Sequence, residues 1–138
     1  MVSARSFGHS LRFYDAYLER LTMNDHQAVQ DHIRQLVASN EIVLFMKGNM
    51  QFPQCGFSAQ VGQIMQLLGL EPTQVNVLDD ASIRDGIKEF SNWPTIPQLY
   101  VKGEFVGGCD IVREMYEQGE LQDMLDQKGV ARTKAALA

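Results

Sequence analysis

The chain has 138 residues, 45% of them hydrophobic and 21% charged, and this composition predicts one globular domain with a single core. The 12 basic and 17 acidic residues give a net charge of −5, which argues against broad electrostatic binding to nucleic acid or to anionic membrane surfaces. Two cysteines are too few for a secreted disulfide scaffold and fit a reducing compartment, and no apolar run approaches the length of a membrane span.

The first residues of the chain, MVSARSFGHSLRFY, contain Arg5, Arg12 and several serines but no acidic residue. This composition is typical of an organellar transit peptide, and the stretch lacks the long apolar segment of a secretory signal. We therefore predict a mitochondrial transit peptide or a flexible extension over residues 1–21. The predicted location is the mitochondrial matrix, with the cytoplasm as the alternative. A short leader with no targeting role is the other interpretation.

The folded domain is predicted over residues 22–127 as alternating helices and strands. Apolar residues at helical spacing predict an amphipathic helix that begins near Asn24, with this residue as its N-cap. The apolar run IVLFM then predicts a buried strand over residues 42–46. A second helix is predicted to begin at Cys55 and to end at Gly69.

The second half of the chain continues this alternation. The run TQVNVLD predicts a second strand, and residues 79–90 predict a third helix. The segments PQLYV and EFVGG, joined by Lys102-Gly103, predict a hairpin. Residues 111–127 predict one or two closing helices broken near Gly119, and residues 128–138 a loose, flexible tail. This order is that of an α/β, thioredoxin-like fold with a four-stranded mixed sheet flanked by helices, although other α/β folds share parts of it.

Cys55 lies in the stretch QCGFS, where a dithiol motif would place a second cysteine three residues later but the chain has Ser58. At a helix N-terminus, unpaired backbone N–H groups favour a thiolate, so the pKa of Cys55 is expected to fall below its ordinary value. Lys47, at the end of the preceding strand, would add positive charge. This pattern predicts a nucleophile or a ligand for a soft metal, and the alternative is a buried, inert cysteine.

Two motifs, CGFS at residues 55–58 and WPTIPQLYVKGEFVGGCD at residues 93–110, resemble those of the monothiol glutaredoxins. The resemblance extends over about residues 25–127 and implies a glutaredoxin fold. It also implies bound glutathione, or a glutathione-derived thiol, and a 2Fe-2S cluster shared between two subunits, with Cys55 as catalytic residue and metal ligand. Members of the family often have a proline where this chain has Met50, which predicts a more mobile loop between Gly48 and Pro53.

Glutathione has two carboxylates, one amine and a thiol, so its site needs cations at one end and an anion at the other. Lys47 and Arg84 match the family positions that hold the glycyl carboxylate, and Arg84 can do so with a forked pair of hydrogen bonds. Lys88, one helical turn later, is a weaker addition. The alternative for each is a solvated surface charge.

The resemblance assigns the rest of the glutathione site to the second motif. A cis bond before Pro97 would expose the backbone of Ile96 for pairing with the ligand, whereas the alternative is that Pro97 only begins a strand. Gly108 lets a ligand approach the backbone closely, and the N–H groups of Cys109 and Asp110 suit the γ-glutamyl carboxylate. The carboxylate of Asp110 could contact the ligand's amine, or it could be only an N-cap.

Some residues near these motifs have less specific interpretations. Cys109 contributes only its backbone or acts as a distant resolving thiol, and we favour the first. Phe57 is expected to border the thiol or cluster pocket, and Trp93 to be a structural plug. The three histidines lack a ligand spacing that includes Cys55 and are interpreted as surface residues: His9, His26 and His32.

Two functions remain in competition. In the first, the protein carries a 2Fe-2S cluster and supplies it to iron-sulfur assembly and recipient proteins, as a homodimer with the cluster and a monomer without it. In the second, it is a thiol-disulfide oxidoreductase that removes glutathione from proteins through Cys55. Ser58 favours the first function because it closes the intramolecular disulfide route. A third interpretation, a scaffold without chemistry, predicts that Cys55→Ser leaves function intact.

Overall fold

The computed structural model describes the backbone of residues 2–132 and the side chains of residues 14–18 and 25–132. The elements follow in the order α1 (Val2–Ser39), β1 (Ile42–Met46), α2 (Gly56–Leu67), β2 (Thr73–Asn76), α3 (Ala81–Ser91), β3 (Gln98–Val101), β4 (Glu104–Gly107), α4 (Cys109–Glu117) and α5 (Glu120–Gln127). Within residues 2–132, no helix is both long enough and apolar enough to cross a membrane.

The four strands form one mixed sheet in the order β2-β1-β3-β4. Strand β1 pairs in parallel with β2 and antiparallel with β3, and β3 and β4 form the predicted hairpin. Helices cover both faces of the sheet. The prediction of a thioredoxin-like fold with a four-stranded mixed sheet is therefore confirmed.

Strand β1 lies in the middle of the molecule, and all five of its residues are buried. Successive side chains of a strand point to opposite faces, so a strand covered on both sides reads as a continuous apolar run. Leu44 and Met46 pack with residues of α2, α4 and α5, such as Met65. Val43 and Phe45 pack on the other face with residues of α1 and α3. The end of β1 therefore lies between the two helical layers. The loop that follows β1 leads from there to Cys55, at the start of α2.

Helix α1 begins at Val2, well before the predicted start near Asn24. The sequence has neither glycine nor proline between residues 9 and 39, so no residue of the strongest helix-breaking types interrupts the helix there. The predicted N-cap role of Asn24 is therefore wrong, and the domain boundary predicted at residue 21 falls inside the helix. The helix docks on α3, where the amide of Gln30 donates to the carbonyl of Gly86 at 3.0 Å.

Helix α3 begins after Asp80, whose carboxylate accepts hydrogen bonds from the backbone N–H groups of Ser82 at 2.9 Å and Ile83 at 3.4 Å. The hydroxyl of Ser82 also donates to this carboxylate. These bonds, the hydroxyl first, lower the pKa of Asp80 below its ordinary value. This N-cap fixes the start of the helix that carries Arg84 and Lys88.

The closing helices are separated at Gly119, as predicted, and this residue has the positive φ of +78° that glycine adopts readily. Helix α4 begins at Cys109, before the predicted start at Ile111, and Gly108 is its N-cap. The interpretation of Asp110 as an N-cap is therefore wrong, since Asp110 lies in the first turn.

Part of the predicted loose tail is packed against the domain. Val130 is only 5% exposed and belongs to the core beneath α5. The Arg132 guanidinium contacts the Asp126 carboxylate at 3.0 Å, and the Lys128 ammonium contacts Glu104 at 2.7 Å. The apolar side chain of Val130 and these ion pairs explain why residues 128–132 are ordered against the fold. Residues 133–138 of this prediction lie outside the described residues.

Candidate functional site

Cys55 is the N-cap residue of α2, with an extended backbone (φ −154°, ψ 138°) that turns its side chain toward the start of the helix. The backbone N–H of Ser58 is the main cause of a lowered pKa for the Cys55 thiol, opposed by partial burial. The N–H of Phe57, the positive charge of Lys47 and the Ser58 side chain lower this pKa further. The first turn of α2 thus stabilises a thiolate that remains partly exposed.

The loop between Lys47 and Cys55 is anchored by two side chains of the edge strand β2. The N–H of Gly48 donates to Asn76 Oδ1 at 2.9 Å, and the N–H of Met50 donates to Gln74 Oε1 at 2.7 Å. Met50 also packs on the core of the α2 face. Met50, which stands at the family's proline position, is therefore held in place, contrary to the mobility predicted for this loop.

A cavity of ≈ 450 Å³ opens on one side of the Cys55 sulfur. Three cations line it, and the Arg84 guanidinium has only a loose contact of 3.7 Å with the neighbouring Asp85 carboxylate. The structure therefore brings Lys47, Arg84 and Lys88 together beside the thiol. The complete lining is Lys47, Cys55, Phe57, Leu78, Arg84, Lys88, Pro94, Thr95 and Ile96.

A second cavity of ≈ 180 Å³ lies at the N-terminus of α4. Its walls share three residues, Phe57, Thr95 and Ile96, with the first cavity, so that the two adjoin. We refer to the two cavities together as the thiol groove. The second cavity is lined by Phe57, Trp93, Thr95, Ile96, Pro97, Gly108, Cys109, Asp110 and Ile111.

The middle of the thiol groove is formed by Ile96 and Pro97, which are joined by a cis peptide bond. Strand β3 begins only at Gln98, so the alternative that Pro97 begins a strand is wrong. The Ile96 side chain is buried in the core between α1, α3 and the sheet. No described residue hydrogen-bonds to the backbone of Ile96, which leaves its N–H and C=O available to an extended ligand.

The far end of the thiol groove combines backbone donors with one carboxylate. Gly108 lies so close to Trp93 that a Cβ at residue 108 would stand 3.0 Å from the indole Nε1. This Nε1–H is buried and has no hydrogen-bond partner among the described residues. The Asp110 carboxylate is exposed and contacts the Arg113 guanidinium at 3.3 Å. Trp93 is thus a wall of the groove as well as the predicted plug, and its buried indole N–H lies against Gly108.

Cys109 differs from Cys55 in its surroundings. Its side chain is buried, and its Sγ donates to Gln60 Oε1 at 3.2 Å. Burial, followed by the negative charge of Asp110, raises the pKa of the Cys109 thiol. Both cysteines are free rather than joined in a disulfide. Cys109 is therefore held as a thiol, while its backbone lies at the start of α4.

Other residues of the groove were not anticipated from the sequence. Thr95 lines both cavities, and Leu78 and Ile111 add exposed apolar surface beside Phe57, whose side chain is 59% exposed. Leu78 directly follows Val77 after the end of β2, and an apolar residue at this place gives no signal of a binding role. The predicted surface histidines His26 and His32 are exposed, and His26 contacts Glu89 of α3 at 3.0 Å. The side chain of His9 lies outside those the structure describes.

Comparison with known proteins agrees with this geometry. The glutaredoxin family model matches residues 42–106, from β1 to the end of the hairpin. A monothiol glutaredoxin of Synechocystis sp. is 60% identical over 94 residues, which are 68% of this chain and 88% of that protein. Mitochondrial monothiol glutaredoxin-5 of Lachancea kluyveri is 53% identical and covers 68% of each chain. Chloroplastic monothiol glutaredoxin-S14 of Arabidopsis thaliana is 50% identical, and the match spans 72% of this chain and 57% of that protein.

Solved structures show the same fold. The solution structure of a truncated Trypanosoma brucei 1-C-Grx1 superposes with a TM-score of 0.70 at 42% identity, over 76% of this chain and 96% of that one. A buckwheat glutaredoxin-glutathione complex superposes with a TM-score of 0.69 at 25% identity, over 78% of this chain and 96% of that one. Because a monothiol glutaredoxin that is 60% identical to this chain matches over 88% of its own length, this chain belongs to the monothiol glutaredoxin family.

Proposed function

We propose that the protein binds glutathione in the thiol groove and carries a 2Fe-2S cluster between two subunits, for storage and for transfer to iron-sulfur assembly and recipient proteins. The observation that supports this most directly is the position of Cys55. It is the only cysteine among the described residues that is not buried, and it lines the larger cavity of the groove together with Phe57, which both cavities share.

The groove suits glutathione by the charges at its two ends. Lys47 and Arg84 at one end match the glycyl carboxylate, with Lys88 beyond them. The Ile96 backbone offers strand-like pairing in the middle. At the other end, the N–H groups at the start of α4 suit the γ-glutamyl carboxylate, and the carboxylate of Asp110 suits the amine. The buckwheat relative, whose structure is a glutathione complex, supports the same ligand.

The donor set suits a shared cluster rather than a metal site within one chain. The described residues contain no group of three or more His, Cys, Asp or Glu side chains arranged to hold a metal ion. One Cys55 thiolate from each of two subunits, with two glutathione thiols, supplies the four sulfur ligands that such a cluster needs. Exposed Phe57 and Ile111 beside the groove provide apolar surface for the second subunit.

Anaerobic reconstitution with iron, sulfide and glutathione tests this proposal. We expect wild-type protein to gain the visible absorption of a 2Fe-2S cluster and to elute as a dimer, whereas the apo protein elutes as a monomer. Cys55→Ser should remain colourless, while the matched variant Cys109→Ser should still assemble the cluster because its thiol is buried. A colourless monomeric wild type under these conditions contradicts the carrier function.

The lowered pKa of Cys55 also supports a second function, glutathione-dependent reduction of mixed disulfides. The Cys55 thiolate would attack the glutathione sulfur of a glutathionylated protein, forming a new disulfide and releasing the protein thiolate. A second glutathione would then attack the sulfur of bound glutathione, releasing glutathione disulfide and the Cys55 thiolate. Turnover of a glutathionylated model peptide by the apo protein measures this activity. Its absence in wild type, with Cys55 intact, excludes this function.

We further propose a location in the mitochondrial matrix. The acid-poor, Arg- and Ser-containing first residues support it, as does the mitochondrial relative of Lachancea kluyveri. Chloroplastic and bacterial relatives are similarly close, so the family alone does not decide the compartment. Cell fractionation with sequencing of the mature N-terminus tests the proposal. Recovery in the cytoplasmic fraction with Met1 intact would exclude it.

A further inference from the structure

Gln98, the first residue of β3, places an amide side chain inside the core. It is 0% exposed, and Ser58 is the only other buried polar side chain in the described part of the chain. Burying an amide costs free energy unless its hydrogen bonds are made within the protein. The burial of Gln98 therefore directs attention to the groups that its amide contacts.

The amide of Gln98 makes hydrogen bonds in two directions. Its nitrogen donates to the carbonyl oxygens of Trp93 and Thr95, each at 3.1 Å. Its oxygen accepts from the hydroxyl of Tyr100 at 3.2 Å. Burial raises the pKa of Tyr100 to about 12, so this hydroxyl keeps its proton at neutral pH. Because an amide nitrogen has two protons and a carbonyl oxygen can only accept, both protons are used to hold the loop before β3.

This loop forms the middle of the thiol groove. Trp93 lines the smaller cavity, and Thr95 lines both cavities. Gln98 itself lines neither of them. Its two donated bonds therefore reach the groove from behind, through the carbonyl groups of residues that form the wall.

The bond to Thr95 also orients the next backbone group. The carbonyl of Thr95 and the N–H of Ile96 belong to one planar peptide unit, and in a trans unit they point in opposite directions. Among the described residues, the cis peptide bond is the following one, between Ile96 and Pro97. Because the Thr95 carbonyl is directed to the buried amide, the Ile96 N–H is directed away from it, and no described residue accepts from this N–H.

We propose that Gln98 is a positioning residue for glutathione: its buried amide holds the Thr95 carbonyl inward and thereby presents the Ile96 N–H to a backbone carbonyl of the ligand in the thiol groove. The bond to Trp93 holds the preceding part of the loop in the same way. The inference deepens the proposed function, since it rests on glutathione binding along Ile96. Gln98 acts through the loop and does not touch the ligand.

Gln98→Met tests the proposal, because methionine is a similarly long and flexible side chain that cannot donate a hydrogen bond. Isothermal titration of the full-length apo protein with reduced glutathione, without iron, measures the affinity. We expect the variant to bind glutathione roughly 3- to 10-fold more weakly, the effect of one neutral hydrogen bond that is no longer well placed. Equal affinities of Gln98→Met and the wild type would overturn the proposal.

Leu125→Ala is the control for a general loss of stability. Leu125 is 0% exposed and lies in the core beneath α2, α4 and α5, on the other face of the sheet from Tyr100. Its truncation leaves a cavity and lowers stability without removing a bond to the loop. We expect Leu125→Ala to bind glutathione like the wild type. If it lost as much affinity as Gln98→Met, destabilisation would explain both results and the proposal would be wrong.

The NMR resonance of the Ile96 amide proton is a readout that a packing role alone would not change. In the wild type, we expect glutathione to move this resonance downfield, because the N–H gains an acceptor. In Gln98→Met, the movement should become smaller, while the amide of Asp110 at the start of α4 still responds to the ligand. A movement of the Ile96 resonance as large as in the wild type would contradict the proposed role.

If Gln98→Met does not fold, the wild type itself provides the test. Scalar couplings across hydrogen bonds are measured between the amide nitrogen of Gln98 and the carbonyl carbons of Trp93 and Thr95. The Ile96 amide proton is then followed during titration with glutathione. We expect both couplings and a response of this proton. A missing coupling to Thr95, or an Ile96 proton that does not respond to bound glutathione, would overturn the inference.

These measurements distinguish failure of this inference from failure of the proposed function. A wild type that does not bind glutathione would contradict both. Normal glutathione binding with failed cluster assembly would contradict only the carrier function, because none of these titrations contains iron. Normal cluster assembly by a Gln98→Met variant with unchanged glutathione affinity would contradict only the role of Gln98.

Discussion

Gly86 of α3 lies so close to Val29 of α1 that a Cβ at residue 86 would stand 2.6 Å from Val29 Cγ1. The same Cβ would stand 3.2 Å from the Cδ1 of Ile33. The absence of a side chain at Gly86 therefore permits the close contact between the two helices. Arg84 and Lys88 lie two residues to either side and line the thiol groove, so this contact sets the position of the helix that carries them.

We predict that Gly86→Ala lowers the free energy of unfolding by about 1–3 kcal/mol, the usual range for overpacking a tight contact. Chemical denaturation measures this change. The matched control is Gly56→Ala, where a Cβ would meet nothing within 4 Å, and we expect its stability to equal or exceed that of the wild type. Equal free energies of unfolding for the two variants would contradict the prediction, because α1 would then be able to move away from α3 at no cost in stability.

The two cysteines are predicted to differ in their reactivity at neutral pH. The lowered pKa of Cys55 increases its thiolate fraction, whereas the raised pKa of Cys109 decreases it. We expect iodoacetamide to modify Cys55 at least about tenfold faster, because its sulfur is a partly exposed thiolate whereas that of Cys109 is a buried thiol. Mass spectrometry of the two peptides measures both rates. Under denaturing conditions the rates should converge, and a difference that persisted there would not arise from the fold.

Removing the charge of Arg84 is predicted to weaken glutathione binding. Arg84→Gln should lower the affinity roughly 10- to 100-fold, the usual range for a lost charge-assisted hydrogen bond. Isothermal titration with reduced glutathione measures the effect. Arg34→Gln removes the same charge from α1, where the guanidinium contacts Asp31 at 2.8 Å outside the groove, and it should bind glutathione normally. If the two variants bound glutathione with equal affinity, Arg84 would not be part of the glutathione site.

Stability is predicted to depend on the ionisation of Asp80. Its folded pKa is lowered, so its contribution is fully present above the unfolded pKa of about 3.9 and is lost as the pH falls through the folded value. Asp80→Asn keeps an acceptor for the N–H groups of α3 but cannot titrate, so its stability should change less over this acidic range. Urea denaturation at a series of acidic pH values compares the two proteins. If both proteins lost the same stability as the pH falls, the ionisation of Asp80 would not be the cause of the pH dependence.

The sequence predicts most of the elements because their signals are local. The apolar run of β1 and the polar link Lys102-Gly103 each specify an element within a few residues. The packed segment around Val130 was missed because its burial depends on α5 and on ion pairs with residues distant in the chain. The early start of α1 is not predicted because residues 1–14 are interpreted by their composition, and composition does not indicate where a helix begins.

Some site residues are predicted from their local sequence, and others only from the resemblance to the glutaredoxin family. The placement of Cys55 at a helix start follows from its strand-loop-helix context, and the structure agrees. The roles of Arg84 and Ile96 came only from the family resemblance, because nothing in their local sequence distinguishes them from a surface charge or a core residue. Thr95 and Leu78 could not be predicted from sequence, since their position in the groove results from how separate loops meet.

The side chain of Asn76 connects two walls of the groove through a single oxygen atom. Its Oδ1 accepts the N–H of Gly48 at 2.9 Å and the N–H of Leu78 at 3.0 Å. Gly48 follows Lys47, and Lys47 and Leu78 both line the cavity beside Cys55. Strand β2, which carries Asn76, is an edge strand of the sheet. Through these two hydrogen bonds, one residue of an edge strand holds the segments that carry Lys47 and Leu78 next to each other. The edge of the sheet thus contributes to the shape of the cavity beside Cys55.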